Sequence, residues 1–335
     1  MNRNIRIMYL AALVLMVLAN SSAHAGISAD SRIKRYISQL HDRRYERDAR
    51  VNLSMAGVQA VPYLLHVIEN KEEPLRVRLL AISSLKSIND DESIDRLAGL
   101  LKNQDVKIRK AVAKVCGEMG SKRAVAPLKA ALGDYDSNVR YYVVRSLEQI
   151  GDPSVYSTYI ELLKDGDSRI RLHAVRALGD IGDVKAVESL KLLVNDWDPA
   201  VRIALGKAMG QIGDKSCLEP LAYMINSDPD RNVRIQSIAS LSGIKREEST
   251  DVLMQIASNG EKDIRYQAAV GLMDLADPKS TDIMINLLND ESKQIRIVAA
   301  EGLARIGTDK AKKALKGVLE DEYSAIRRTA RTALQ

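Results

Sequence analysis

The side chains that could perform chemistry are few. The 335 residues contain two cysteines, four histidines and one tryptophan, and no His or Cys stands beside another at the spacing of a metal pair. There is no Walker loop, no G-x-S-x-G and no H-E-x-x-H, so phosphate cradling, nucleophilic hydrolysis and zinc-assisted hydrolysis all lack their residues. What recurs is an aspartate pair, Asp134/Asp136, Asp165/Asp167, Asp196/Asp198 and Asp228/Asp230. A calcium edge would need about six to eight oxygens drawn into one tight loop, whereas an aspartate just before a helix caps its amides. Capping is the stronger reading, and neither a metal nor a cofactor is expected.

The aspartates belong to a longer pattern. Val/Ile-Arg recurs as Val77-Arg78, Ile108-Arg109, Val139-Arg140, Ile170-Arg171, Val201-Arg202, Val233-Arg234, Ile264-Arg265, Ile295-Arg296 and Ile326-Arg327, with arginine intervals of 31 residues seven times and 32 once. The seventh residue after each Arg is apolar (Leu147, Leu178, Met209) and so is the tenth (Ile150, Ile181, Ile212). At about 100° per residue, offsets −1, +3, +6, +7 and +10 fall on one arc, which predicts an amphipathic helix in every repeat. Asp136, Asp167, Asp198 and Asp230 stand four residues ahead of their arginines as N-caps, and Pro199 follows Asp198 as a first helical residue. Gly120, Gly151, Gly182 and Gly213 close the helix. A second helix follows, opened by Asp152-Pro153, Asp183, Asp214 or Asp277-Pro278. No such pair can bury its apolar arc alone, so neighbours must stack.

Units such as Asp198-Pro199-Ala200-Val201-Arg202 followed by Ile212-Gly213-Asp214 and Leu218-Glu219-Pro220-Leu221 resemble HEAT repeats of the kind first grouped with phycobilisome lyases. The resemblance covers about residues 45 to 335 and implies an all-α fold, a right-handed α-solenoid of about ten helix pairs. It implies a ladder of arginines reaching neighbouring turn carboxylates, and it places the long-helix surface on a concave face. It does not fix an activity, because such solenoids carry unrelated functions. HEAT-type iron hydroxylases are recognised by His-Glu dipeptides, which are absent here. HEAT-like DNA glycosylases require a strongly basic groove. Residues 26–56, rich in arginine (Arg32, Arg35, Arg43, Arg44, Arg47, Arg50), fit the period poorly and are expected to form an N-terminal helical cap on a solenoid spanning 57–335. Arg327, Arg328 and Arg331 make the last helix polar enough to close the other end.

Two rows depart from what the resemblance leads one to expect. Offset +5, often acidic in such repeats, carries Lys114, Arg145, Arg176 and Lys207, and offset +1, commonly polar, carries Tyr141, Leu172, Ile203, Ile235, Tyr266 and Ile297. By helical spacing the rows adjoin, which predicts an apolar stripe rimmed by cations, suited to a peptide or helix. The alternative is that offset +1 merely packs on the next repeat. Tyr142 and His173 edge this surface, His173 as a solvent-facing residue. Trp197, in the turn Asp196-Trp197-Asp198, is expected to pack on its neighbouring loop.

Residues 1–25 have the layout of a secretory signal peptide: Arg3 and Arg6, an apolar run from Ile7 to Ala19, and Ala23-His24-Ala25 at the cleavage point. The run has 13 residues, short of the roughly 20 that cross a bilayer. A periplasmic or secreted protein is expected, with no later transmembrane segment. Without residues 1–25 the chain has 48 Lys+Arg against 44 Asp+Glu, too small an excess to point to nucleic acid. Cys116 and Cys217, about three repeats apart, should be core residues rather than a disulfide. Together these features predict a monomeric, non-enzymatic, exported scaffold that binds a protein partner through an acidic or amphipathic segment. The alternatives are an accessory lyase or chaperone for a tetrapyrrole-like ligand and an adaptor on an anionic envelope surface.

Overall fold

The computed structural model describes residues 28–91, 93–244 and 246–335, so the expected targeting segment 1–25 lies outside the described residues. Those described are helical, with no strand among them. They fall into two compact units divided between Ser146 and Leu147. The first holds α1 (Ala29–Gln39), α2 (Glu46–Ala56), α3 (Val61–Glu69), α4 (Leu75–Ile88), α5 (Ser93–Gly99), α6 (Val106–Met119), α7 (Val125–Ala130) and most of α8 (Ser137–Ile150). The second holds the end of α8, then α9 (Tyr156–Leu162), α10 (Ser168–Ile181), α11 (Val187–Leu190), α12 (Pro199–Ile212), α13 (Leu218–Ser227), α14 (Arg231–Gly243), α15 (Glu247–Asn259), α16 (Lys262–Leu275), α17 (Thr281–Leu287), α18 (Lys293–Ile306), α19 (Asp309–Lys316) and α20 (Ser324–Ala333). Each unit is an α-solenoid of helix pairs. Within each unit the even-numbered helices form one row, carrying the Val/Ile-Arg motif from α4 onward, and the odd-numbered helices form the other.

The expected caps are in place. Asp105, Asp167, Asp198 and Asp230 adopt extended backbone and accept an amide two residues on, at 2.8 Å for Asp198 from Ala200. Gly182 and Gly213 end α10 and α12 in the left-handed region, at φ 71° and 66°. The equivalent residue after α16 is Ala276, held at φ 49°. Apolar side chains on the buried arc, such as Ile170, Leu178, Val201 and Met209, are fully buried.

Small residues set the spacing of the even-numbered row. A Cβ on Gly179 of α10 would lie 2.7 Å from the Ala208 Cβ of α12, and one on Gly210 would lie 2.9 Å from the Ser240 Cβ of α14. In the first unit, Gly117 of α6 leaves the same room for Ser146 of α8, whose hydroxyl donates to the Ala113 carbonyl at 2.8 Å. Residues 28–56 form two helices, and α2 already takes a place in the even-numbered row. Arg50 Nη2 donates to Ser83 Oγ of α4 at 2.8 Å, and Arg76 of α4 reaches back to Glu46 at 2.6 Å. Cys116 and Cys217 are free and buried. Burial pushes the Cys116 thiol up to about 12 and the Cys217 thiol in the same direction, in each case against an opposing backbone hydrogen bond.

Candidate functional site

Two sets of arginines differ in what surrounds them. The motif arginines are committed to the stack. Arg171 Nε and Nη2 both donate to Asp196 at 2.7 Å, and Nη1 donates to the Asp165 carbonyl at 2.8 Å. Arg202 repeats this with Asp228 at 2.7 and 2.9 Å, Arg265 with Asp290 at 3.1 and 3.3 Å, and Arg109, in the first unit, with Asp134 at 2.6 and 3.0 Å. Each guanidinium therefore ties its own turn to the next one, bidentately and out of water. The first aspartate of each pair also accepts from the amide of the second, as Asp196 Oδ1 does from Asp198 N at 3.0 Å. The second aspartate caps the helix. The oxygens that a calcium edge would need already have donors.

Aromatic residues in the turns lie over these clasps. The Trp197 ring centroid is 5.1 Å from the Arg171 guanidinium carbon, and the Tyr135 centroid is 4.7 Å from that of Arg109. Trp197 packs on the arginine of the preceding repeat, and the indole remains 71% exposed.

The second set stands on the face of the even-numbered row turned away from the odd-numbered helices, the inner face. In the first unit Lys114 and Arg145 are exposed there, with Tyr141 and Tyr142 half-buried in an edge-to-face pair at 5.1 Å. Lys114 has a loose contact with Glu118 at 3.9 Å. In the second unit Arg176 and Lys207 are exposed and line one groove of about 560 Å³ with Glu148, Asp180, Gln211, Gln236 and Ser240. Leu172 and Ile203 are half-buried.

Two expectations need correction. The offset +1 residues do not form an exposed apolar stripe. Tyr141, Leu172, Ile203, Ile235, Tyr266 and Ile297 are all half-buried, because the small-residue contacts bring the long helices so close that this row lodges beside its neighbours. The groove of the second unit is mixed, with Ala204, Gly210, Ala239 and Gly243 lining it beside the charged and amide side chains. Nor does His173 face solvent: it is 9% exposed, and its Nδ1 lies 2.5 Å from Glu148 Oε2.

The acids of that groove are engaged. Glu148 holds His173, and Asp180 Oδ1 accepts Gln211 Nε2 at 2.9 Å. Among the described residues, Arg176, Lys207 and Arg145 have no carboxylate partner. The groove thus holds two cations without a carboxylate contact, Arg176 and Lys207, one repeat apart, beside two carboxylates whose oxygens already accept hydrogen bonds. Sequence reasoning missed Glu148, Asp180 and Gln211. A signal was present, since Glu148 stands eight residues after its arginine, where Gly117, Gly179 and Gly210 stand in three other repeats.

A stack of two-helix repeats clasped by arginine and aspartate defines an α-solenoid protein. The family described as HEAT repeats matches residues 61–137, 126–195, 189–273 and 250–335, and the chain belongs to that family. No curated protein matches the chain. Among solved structures, an engineered protein is 18% identical with a TM-score of 0.52, over 92% of this chain and 96% of that one. Human deoxyhypusine hydroxylase in complex with glycerol is 18% identical with a TM-score of 0.35, over 82% and 95%. The complex of CpcE and CpcF of phycocyanin lyase from Nostoc sp. PCC7120 is 17% identical with a TM-score of 0.42, over 72% and 94%. At such identities the engineered protein shows the fold alone, and the two looser likenesses carry no argument.

Proposed function

We propose that this HEAT-repeat protein is a non-enzymatic, exported scaffold that binds an acidic segment of a protein partner along the inner face of its even-numbered helices. One observation carries the proposal: Arg176 and Lys207 are exposed without a carboxylate, whereas the acids beside them are already engaged. Cations held a repeat apart, at roughly 10 Å per helix layer, present a charge spacing that an acidic chain can match while the groove excludes part of its water. The non-enzymatic part of the proposal is supported by the two thiols, both buried with raised pKa and so ill-suited to act as nucleophiles.

The test is capture of the partner from an extracytoplasmic extract by the wild type and by Arg176→Glu/Lys207→Glu. The double reversal should abolish recovery at low salt, and the wild-type complex should weaken as salt rises. Equal recovery by both proteins removes the groove from the proposal. Export is supported by the order basic start, apolar run, small-x-small triplet in residues 1–25. N-terminal sequencing of fractionated protein should find Gly26 first, outside the cytoplasm. An intact chain confined to the cytosol would overturn that part.

A further inference from the structure

The inner face of the first unit carries a feature that the groove of the second lacks. On α2, Ala49 and Leu53 are buried against the core, Arg50 and Ser54 face α4, and Val51 and Met55 point away from the core. Val51 and Met55 are each 47% exposed, and Val58, in the turn that follows, is 64% exposed. At helical spacing Val51 and Met55 share one arc with Arg47, which is itself exposed and, among the described residues, without a carboxylate partner; Val58 lies beyond Gly57, where the helix ends. Val51 precedes Leu53 by two, as the basic residues at offset +5 precede the buried +7 position, so it heads the row that continues through Ser83 on α4, Lys114 on α6 and Arg145 on α8. Along this one row an apolar surface gives way to a hydroxyl and then to two cations.

We infer that Val51 and Met55 of α2, with Val58 in the turn beyond it, seat the apolar end of an acidic segment whose carboxylates reach Lys114 and Arg145 of the same unit. This rests on the reading that the inner face takes an acidic segment, and it adds the ligand's pattern. Charge complementarity selects the occupant. An apolar patch with cations lying farther along the same row matches a chain carrying an apolar cluster at one end and acids beyond it. Two helix layers at roughly 10 Å each separate Val51 from Lys114, or about 20 Å. An extended chain crosses that span in about six residues at ~3.3 Å each, and a helix in about thirteen at 1.5 Å each.

The test uses the full chain and fluorescein-labelled synthetic peptides bearing a Leu-Leu-Val cluster and a Glu-Asp-Glu cluster separated by two, six or thirteen Gly/Ser/Ala residues, read by anisotropy. Binding should be at least ten-fold tighter at one of the two longer spacings than at two. Met55→Glu should remove that advantage while leaving the weaker binding of a peptide without the apolar cluster unchanged. Arg145→Glu should weaken both peptides. Equal binding at all three spacings overturns the inference, as does insensitivity to Met55→Glu. Failure of every acidic peptide would instead sink the proposed function itself. Sedimentation of the wild type at the assay concentration completes the test, because a dimer that Met55→Glu dissociates would show the patch to be a self-contact and overturn the inference.

Discussion

Asp196 shows how much one carboxylate can carry. Its two oxygens accept both arms of Arg171, and the side chains are 3% and 6% exposed. Asp196→Ala leaves a buried guanidinium with no carboxylate, only the Asp165 carbonyl and the Trp197 ring, and should cost about 3–5 kcal/mol in urea denaturation. Loss of under about 1 kcal/mol, as for a surface pair, would mean that water replaces the carboxylate. Tyr159 makes the opposite case. Its hydroxyl is buried without a hydrogen-bond partner among the described residues, and burial, followed by the carboxylates of Glu148 and Asp152, pushes its pKa up. Tyr159→Phe should therefore leave stability unchanged or raise it by about 1 kcal/mol, since it removes an unsatisfied group rather than a bond; a fall of that size would reveal a hidden partner. Asp198 governs the acid limb. A hydrogen bond from Ser168, opposed by burial and assisted by the Ala200 amide, holds its carboxyl below the usual range. A carboxyl with a lowered folded-state pKa adds stability that is present above its unfolded pKa, about 3.9, and is lost as pH falls through the lower folded value. Asp198→Asn should flatten the loss of stability below about pH 4, as followed by circular dichroism. At this scale the sequence was only partly legible. The four cations could be assigned from spacing and the clasp from the HEAT resemblance, but the engagement of Glu148 by His173 could not, because a glutamate where Gly117, Gly179 and Gly210 stand marks the position without saying which side chain of the next repeat it meets.

The element scale is where the sequence spoke most clearly. A period of 31, an aspartate before each long helix and a glycine after it determine both ends of the helix through local bonds, so α10 and α12 could be bounded without any tertiary information. The depth of the offset +1 row was not legible, because it is decided by how closely neighbouring helices approach. That approach is set by Gly179 against Ala208 and Gly210 against Ser240, pairs 29 and 30 residues apart that a single helical wheel cannot show. Two substitutions test these causes separately. Ala276 holds φ 49° where other repeats place glycine, and an L-residue pays about 1–2 kcal/mol in that region. Ala276→Gly should therefore raise stability by about 1 kcal/mol, less than the full strain because glycine also gains freedom when unfolded. Gly179→Ala should act in the other direction. Its Cβ would meet the Ala208 Cα at 2.8 Å, which is backbone and cannot rotate away, so overpacking of about 1–3 kcal/mol is expected. Equal, small effects of the two changes on the thermal midpoint would mean that helix ends and helix contacts are both softer than their geometry implies.

At the scale of the whole molecule the question is how far a local change travels. In a stack where each repeat touches only its neighbours, stability is approximately a sum of repeat terms and nearest-neighbour interfaces. The second unit has this construction: Arg171 clasps the turn carrying Asp196, Arg202 clasps the turn carrying Asp228, and Arg265 the turn carrying Asp290, each reaching one repeat forward and no farther. Breaking one clasp should therefore loosen two repeats and leave the distant ones as they were, in contrast to a globular core, where the same loss would lower protection throughout. Native-state hydrogen exchange on Asp196→Ala distinguishes these outcomes. Amides of α10 and α12 should exchange faster by two or more orders of magnitude, the expected consequence of about 3–5 kcal/mol lost locally, whereas those of α18 should keep their wild-type rates. Uniform acceleration through α18 would show that the unit opens as one body. The nearest-neighbour picture would then fail, and with it the expectation that binding at one groove can be altered without disturbing the rest of the stack.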